Sequence, residues 1–268
     1  MYSLINYLSL ADSFLSYHRF LVLRYARTRP LNGKGLITGF LRNRFPLLIL
    51  KSKKFYDLKL IINPSNFSHT RITDEFFFEN VYNLELLPFK PNCIVDCGAH
   101  IGMFTLLSKG KYPDVPIYIF EPNPENTLYI KKQIAENNLS LTTIEEAAVS
   151  NYSGTALFET TELSFGGYLS NDINSRTKIE VKVINLPEYL QKINVQKLLI
   201  KIDIEGEEDN LIPLLISHLP QQTAIYFEYH YGLEKFEKIK SIFEENGFVI
   251  QINRVVNNLY IDALSIRN

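Results

Sequence analysis

Cysteine is scarce in this chain of 268 residues, with Cys93 and Cys97 its two. Four apart on an expected strand, their Cα atoms would stand roughly 13 Å apart, too far for a disulfide. That excludes a disulfide framework and a thiolate metal cluster, leaves both as buried small hydrophobes, and gives no support for an oxidising compartment. A long apolar run is missing too. Asp12, His18, Arg19 and Arg24 interrupt the N-terminal stretch, short of the roughly 18 residues that span a bilayer. The stretch also lacks the positive start and small-residue cleavage site of a secretory leader. A cytoplasmic location is expected, with peripheral membrane contact left open. No internal repeat or low-complexity tract interrupts the chain.

Net charge is nearly absent, at −1, but it is unevenly spread. Residues 1 to 60 hold 11 Lys and Arg against Asp12 and Asp57, net +9; the remaining 17 against 27 give −10 for residues 61 to 268. The basic part is therefore a separate surface. It has helical periodicity through Leu4, Leu8, Ala11, Leu15 and Val22, with Arg19, Arg24, Arg27 and Arg29 gathering at its end. A helix packed on its own domain is favoured over an interfacial or oligomer-forming one. Homo-oligomerisation stays open.

With 46% hydrophobic residues the chain can bury a full core, and one α/β domain with an appendage is the natural division. Thr28 to Gly35 is a breaker cluster after the N-terminal arm. Leu47 to Leu50 and Phe55 to Ile62 read as a strand hairpin, and Asp74 to Tyr82 as a short lead-in helix. Residues 1–87 thus form an arm, and 88–268 the main domain. In that domain strands are expected at 93–97, 117–121, 142–147, 197–203 and 223–229, and helices at 102–109, 124–137, 207–217 and 234–246. Such alternation means a mostly parallel sheet. Strands at 154–160 and 178–184 flank a Ser/Gly/Asn-rich segment, Leu163 to Asn171, as an insertion at about 152–185. Phe248 to Ile252 and Leu259 to Ile266 leave no room for a crossover helix, so the last strand of a seven-stranded sheet is antiparallel.

The most informative stretch is Val95-Asp96-Cys97-Gly98-Ala99-His100-Ile101-Gly102, followed by Ile117-Tyr118-Ile119-Phe120-Glu121. Strand, glycine turn, helix and a second strand ending at an acid place backbone N–H groups and a carboxylate at one sheet edge. This is a nucleoside-cofactor arrangement, with Glu121 set to take both ribose hydroxyls. Gly98 and Gly102 give G-x-x-x-G, not the G-x-G-x-x-G of a dinucleotide binder. Asp96, ending the first strand, suits an amino-bearing ligand such as the methionine part of S-adenosylmethionine. Asp203 follows a buried strand, so its charge needs a partner.

These blocks, with Phe120-Glu121-Pro122-Asn123-Pro124, Ala148 to Gly154 and Leu199-Ile200-Lys201-Ile202-Asp203-Ile204-Glu205-Gly206-Glu207-Glu208, resemble the FkbM-type methyltransferases. The resemblance spans about residues 75 to 266. It implies a Rossmann-like class I fold and methylation, from S-adenosylmethionine, of hydroxyls on sugars and secondary metabolites. It further implies that Asp96, Gly98 and Gly102, with Ala99 and His100 between them, surround the methionine end of the cofactor. Glu121, followed by Asn123, would hold the ribose, Glu146 and Ala147 would border the adenine, and Asp203 and Glu205 would lie beside the sulfonium. His100 stands where that family usually has asparagine.

A hydroxyl acceptor must lose its proton. Asp203, Glu205, Glu228 and His230 are the candidates, with His230 preferred as general base because an imidazole among carboxylates can titrate near working pH. The same four could bind a divalent metal, which is not favoured. The expected acceptor is a small molecule or glycan. No nucleic-acid partner is favoured, because an Asn/Asp-Pro-Pro-aromatic segment is lacking. An RNA methyltransferase and an inactive methyltransferase-fold scaffold are the alternatives.

Overall fold

The structure is a computed structural model that describes residues 47–268, apart from 65, 80, 161–167, 170–177, 194 and 259. The expected N-terminal helix and the breaker cluster lie outside the described residues, as does most of Leu163 to Asn171. No helix among the described residues is long and apolar enough to cross a membrane.

Seven strands form the central sheet: β3 (Cys93–Cys97), β4 (Ile117–Phe120), β5 (Thr142–Glu145), β10 (Lys197–Ile202), β11 (Gln222–Tyr229), β12 (Val249–Val256) and β13 (Tyr260–Arg267). Their spatial order is β12-β13-β11-β10-β3-β4-β5. The pairs from β11 to β5 are parallel, whereas β13 runs antiparallel to both its neighbours. This is the Rossmann-like class I methyltransferase sheet expected from sequence, with the last strand of the chain antiparallel and inserted one place in from the edge. The turn into β13 is tight because Asn257 and Asn258 both adopt left-handed backbone, which asparagine tolerates better than most residues.

Helices cover both faces, so the central strands are largely apolar, with Asp96 and Lys201 as buried charged exceptions, and their side chains divide by a period of two. Ile94, Ile117, Ile119 and Leu199 point to one face, where they meet Phe104 and Leu106 of α2 (Met103–Lys111) and Ile130 of α3 (Pro124–Glu136). Val95, Cys97, Leu198, Ile200 and Ile202 point to the other, against Leu211 and Leu215 of α5 (Glu208–Leu215) and Phe236 and Phe243 of α6 (Gly232–Glu245). A short α4 (Leu186–Gln191) adds Leu186 and Leu190 to that second face. Both cysteines are buried and free, as their spacing required.

The antiparallel hairpin of β1 (Leu48–Lys51) and β2 (Lys59–Ile62) shares the first core with the main domain. Its second strand is shorter than expected, because Tyr56 and Asp57 turn the chain in left-handed backbone. Gln133 of α3, fully buried, ties this hairpin down by accepting from Ile61 N at 2.9 Å and donating to Ile61 O at 2.8 Å.

Two other elements differ from expectation. The lead-in helix begins earlier, as α1 (Phe67–Asp74), and runs on through a π-turn at Glu75–Glu79. Asn66 caps it, its side chain accepting from Ser68 N and His69 N, and its buried face is too polar to read as a helix: Ser68, His69, Thr70 and Thr73. The strand expected at 142–147 breaks at Glu146. Ala147–Ser150, small and buried, leaves the central sheet as β6 and pairs in parallel with β9 (Lys178–Asn185). With β7 (Gly154–Glu159) and β8 (Tyr168–Leu169) these make a separate four-stranded sheet, larger than the expected hairpin.

Replacing Gln133 by leucine would leave two buried backbone groups of Ile61 unpaired, and unfolding by urea should show a loss of about 2–4 kcal/mol. A loss below about 0.5 kcal/mol would show that the hairpin is held without it.

Candidate functional site

The sheet order reverses between β3 and β10, and in open α/β sheets the crevice beyond the strand ends at such a point is where ligands sit. The chain continues β3 with Gly98 in left-handed backbone, and a Cβ there would lie 1.8 Å from the carbonyl oxygen of Asp203. Only glycine allows β3 and β10 to end this close together. Lys201, buried in the middle of β10, donates to Gly98 O and lies 3.2 Å from Asp203 Oδ2 and 3.9 Å from Asp96 Oδ1. Burial pulls the Lys201 ammonium down, but the charges of Asp203 and Asp96 outweigh it and the net shift is upward.

Asp96 is fully buried beneath this turn. Thr105 Oγ1 donates to its Oδ2 at 2.7 Å, while Oδ1 has no hydrogen-bond partner among the described residues. Burial raises its pKa against the lowering effect of Lys201. Glu121 follows β4 and accepts from His100 N at 2.7 Å, Asn123 N at 3.0 Å and Asn126 Nδ2 at 3.2 Å. Burial still pushes its carboxyl up to about 7.

A cavity opens over this edge, with about 1130 Å³ of empty space when the open solvent at its mouth is included. Gly98, His100, Glu121, Asn126, Ala147 and Ala148 line it, together with Ile72, Phe76, Tyr82, Phe158, Asp203, Glu205 and Glu228. Among the expected cofactor residues Gly98, His100, Glu121, Ala147 and Asp203 therefore face the cavity. Asp96, Ala99, Gly102 and Asn123 are not in its wall and act from behind: Gly102 starts α2, and Asn123 caps α3 by accepting from Glu125 N. Glu146 is not in the wall either. It is turned outward, 3.4 Å from Lys131 at the surface, because the chain bends at that residue to enter the second sheet.

The four candidate catalytic residues come together. His230 Nε2 lies 3.2 Å from Glu205, 3.6 Å from Glu228 and 3.9 Å from Asp203, while Nδ1 lies 3.0 Å from Glu208. Glu208, fully buried, also accepts from Gly206 N and Ile204 N. Burial lowers the imidazole pKa, but the bond to Glu208 and the charges of Glu208, Glu205 and Asp203 outweigh it and lift it to about 10. The near-neutral imidazole expected from sequence is thus replaced by a ring that holds its proton at pH 7, and His230 is set back from the cavity wall. Burial and the neighbouring Asp203 push Glu205 up to about 8, and burial with Asp203 and Asp262 pushes Glu228 well above the usual carboxylate range. Asp203, Glu228 and His230 each offer a ligand atom within 4.8 Å of the others, so these three could hold a divalent ion.

Several residues were not singled out from sequence. Lys201 carried a usable signal, since a lysine inside Leu198-Leu199-Ile200-Lys201-Ile202 must find a buried partner. Asn126 and Arg254 carried none. Arg254 of β12 pairs with Glu79 beyond α1 and with Asp262 of β13, closing the far side of the cavity.

The model of a family described as the methyltransferase FkbM domain matches residues 96–250, more than half of the chain. Methyltransferase 1 of Beauveria bassiana (strain ARSEF 2860) is 24% identical over 205 residues, covering 68% of this chain and 82% of that protein. The 31-O-demethyl-FK506 methyltransferase FkbM of Streptomyces tacrolimicus is 23% identical over 171 residues, 52% of this chain and 65% of that protein. The chain thus spans less than two thirds of that relative's length. Among solved structures, the precorrin-6y C5,15-methyltransferase of Geobacter metallireducens GS-15 is 14% identical, with a TM-score of 0.44 over 70% of this chain and 85% of that one.

The raised Glu121 pKa gives a pH prediction. A carboxyl that titrates near 7 becomes a full acceptor for hydroxyl donors only as pH rises through that value. Affinity for S-adenosylhomocysteine, followed by calorimetry, should rise about ten-fold from pH 6 to pH 8. In Glu121→Gln the profile should be flat; an equal rise there would place the titrating group elsewhere.

Proposed function

The chain belongs to the FkbM methyltransferase family and is an S-adenosylmethionine-dependent methyltransferase, and we propose that it methylates a hydroxyl of a sugar, glycolipid or natural product. The observation that carries this reading is that one cavity is lined both by the cradle of the glycine turn with Glu121 and by the carboxyl groups of Asp203, Glu205 and Glu228. The cradle fits an adenosyl cofactor. Gly98 excludes any side chain from the turn, and Glu121 presents a carboxylate fixed by three donors, whose Oε2 takes only the His100 N–H and keeps a lone pair for a ribose hydroxyl. Ala147 and Ala148 offer a small-residue wall for the adenine.

The bound cofactor supplies a methyl group on a positively charged sulfur. The protein's part is to align the acceptor oxygen with that methyl, to balance the positive charge and to take a proton. Asp203 supplies negative charge beside the cradle, and Glu205, pushed up to about 8, joins it as the pH rises through that value. Glu205 is the better proton acceptor: it faces the cavity, and its raised pKa makes it more basic than an ordinary carboxylate. His230, protonated behind it and fixed by Glu208, holds the three carboxylates in place. Ile72, Phe76, Tyr82 and Phe158 give the acceptor an apolar surface to lie against.

The Streptomyces tacrolimicus relative is named for 31-O-demethyl-FK506, which agrees with oxygen as the atom methylated here. RNA is the weaker reading, because carboxylates at the acceptor wall repel phosphates.

Purified protein, labelled S-adenosylmethionine and a panel of glycosides, polyols and macrolides should give a product heavier by one methylene. Glu205→Gln should lower kcat by about 10²–10⁴-fold with cofactor affinity unchanged. Cofactor binding without transfer to any hydroxyl would contradict the acceptor class, and an unchanged kcat would move the proton to another group.

A further inference from the structure

Ser68 lies outside the family match, which begins at Asp96, yet its hydroxyl reaches the cofactor turn. Its Oγ is 2.6 Å from His100 Nε2. His100 sits in left-handed backbone, where a small shift would redirect its N–H. That N–H donates to Glu121 Oε2 at 2.7 Å. The other ring nitrogen, Nδ1, is buried with no hydrogen-bond partner among the described residues, so Ser68 Oγ carries the polar contact of the ring. Burial and the neighbouring His69 hold the His100 pKa well below its ordinary value, so the ring is neutral.

Ser68 is itself fixed. Its N–H donates to the Asn66 cap at 2.9 Å. The next residue, His69, accepts from Asn63 N at 3.1 Å and packs edge-on against the His100 ring with centroids 5.6 Å apart. From Ser68 the same helical face continues through Arg71, Ile72, Glu75 and Phe76, all of which line the cavity, and ends at Glu79, tied to Arg254.

We propose that Ser68 is a cofactor-positioning residue, which orients the His100 ring and through the His100 N–H sets the Glu121 carboxylate. The roof formed by α1 and the cradle formed by the glycine turn then behave as one unit, and the cofactor senses a helix it does not need to touch. The inference rests on the reading of Glu121 as the ribose-holding group.

The test is calorimetry with S-adenosylhomocysteine on the wild type, Ser68→Ala, His100→Asn and the double variant. Asparagine tolerates the left-handed backbone but is too short to meet the Ser68 hydroxyl. Ser68→Ala should weaken binding about ten-fold in the wild-type background, as expected when a buried ring loses its hydrogen bond. In the His100→Asn background it should cost less than about two-fold. Equal losses in both backgrounds, or no loss in either, would overturn the proposal. Thr73→Ala separates helix stability from positioning. It removes a buried hydroxyl that donates to His69 O in the same helix, and should lower the melting temperature while leaving affinity unchanged. A ten-fold loss of affinity there as well would reduce Ser68 to a structural role. Should Ser68→Ala fail to fold, Ser68→Cys, with a weaker donor of similar size, takes its place in the cycle with the same two outcomes. Full affinity in Glu121→Ala would instead sink the ribose assignment, whatever Ser68 does.

Discussion

The ammonium of Lys201 is the contact on which the site depends. It stands between the carboxylates of Asp96 and Asp203 and donates to the carbonyl of Gly98. Two strands meeting at the reversal point of the sheet both end in acids, and without a cation between them the buried pair would be repelled apart. With Lys201 in place, β3 and β10 end side by side and Gly98 packs onto the Asp203 backbone, as its missing side chain permits. The same bond orients the Gly98 carbonyl, while the N–H groups of Gly98 and Ala99 tie the turn to Phe120 O and that of His100 to Glu121.

From that point the charge arrangement grows outward in layers. Lys201 balances Asp96 and Asp203, His230 gathers Asp203, Glu205 and Glu228, and Glu208 beneath it completes the ring's second hydrogen bond. Burial, together with acids that outnumber the cations, pushes Glu205 and Glu228 up, and the same acids keep His230 protonated. Such a cluster suits a positively charged group on one side and a proton to be removed on the other. Catalysis here is placement and electrostatics, with no covalent step required of the protein.

Much of this was legible in the sequence because it is local. Val95 to Gly102 and Phe120-Glu121 announce a strand, a turn and a strand-end acid within a few residues, and Leu198 to Ile202 announces a strand buried on both faces. The final strand pair was legible as well, although β12 runs on to Val256, past the expected end at Ile252, and leaves a tighter turn at Asn257 and Asn258. What was hidden depends on distant residues. Ser68 and His69 give α1 a polar buried face, which has no hydrophobic period to detect, and their partner His100 lies far along the chain. Glu146 looked like a strand-end neighbour of the cofactor, but the buried Ala147–Ser150 prefers β9 to the central sheet and swings it outward. The His230 pKa was misjudged for a similar reason: the sequence reading set Asp203, Glu205 and Glu228 beside it, whereas folding adds the bond between its Nδ1 and the buried Glu208.

The crystal structure of the protein grown with S-adenosylhomocysteine is the most direct test of the central claim. The claim predicts a ribose hydroxyl within about 3 Å of the Glu121 carboxylate, the adenine against Ala147 and Ala148, and the sulfur turned toward Asp203 and Glu205. A ligand seated away from Glu121, or with its sulfur turned from the carboxylate cluster, would contradict it.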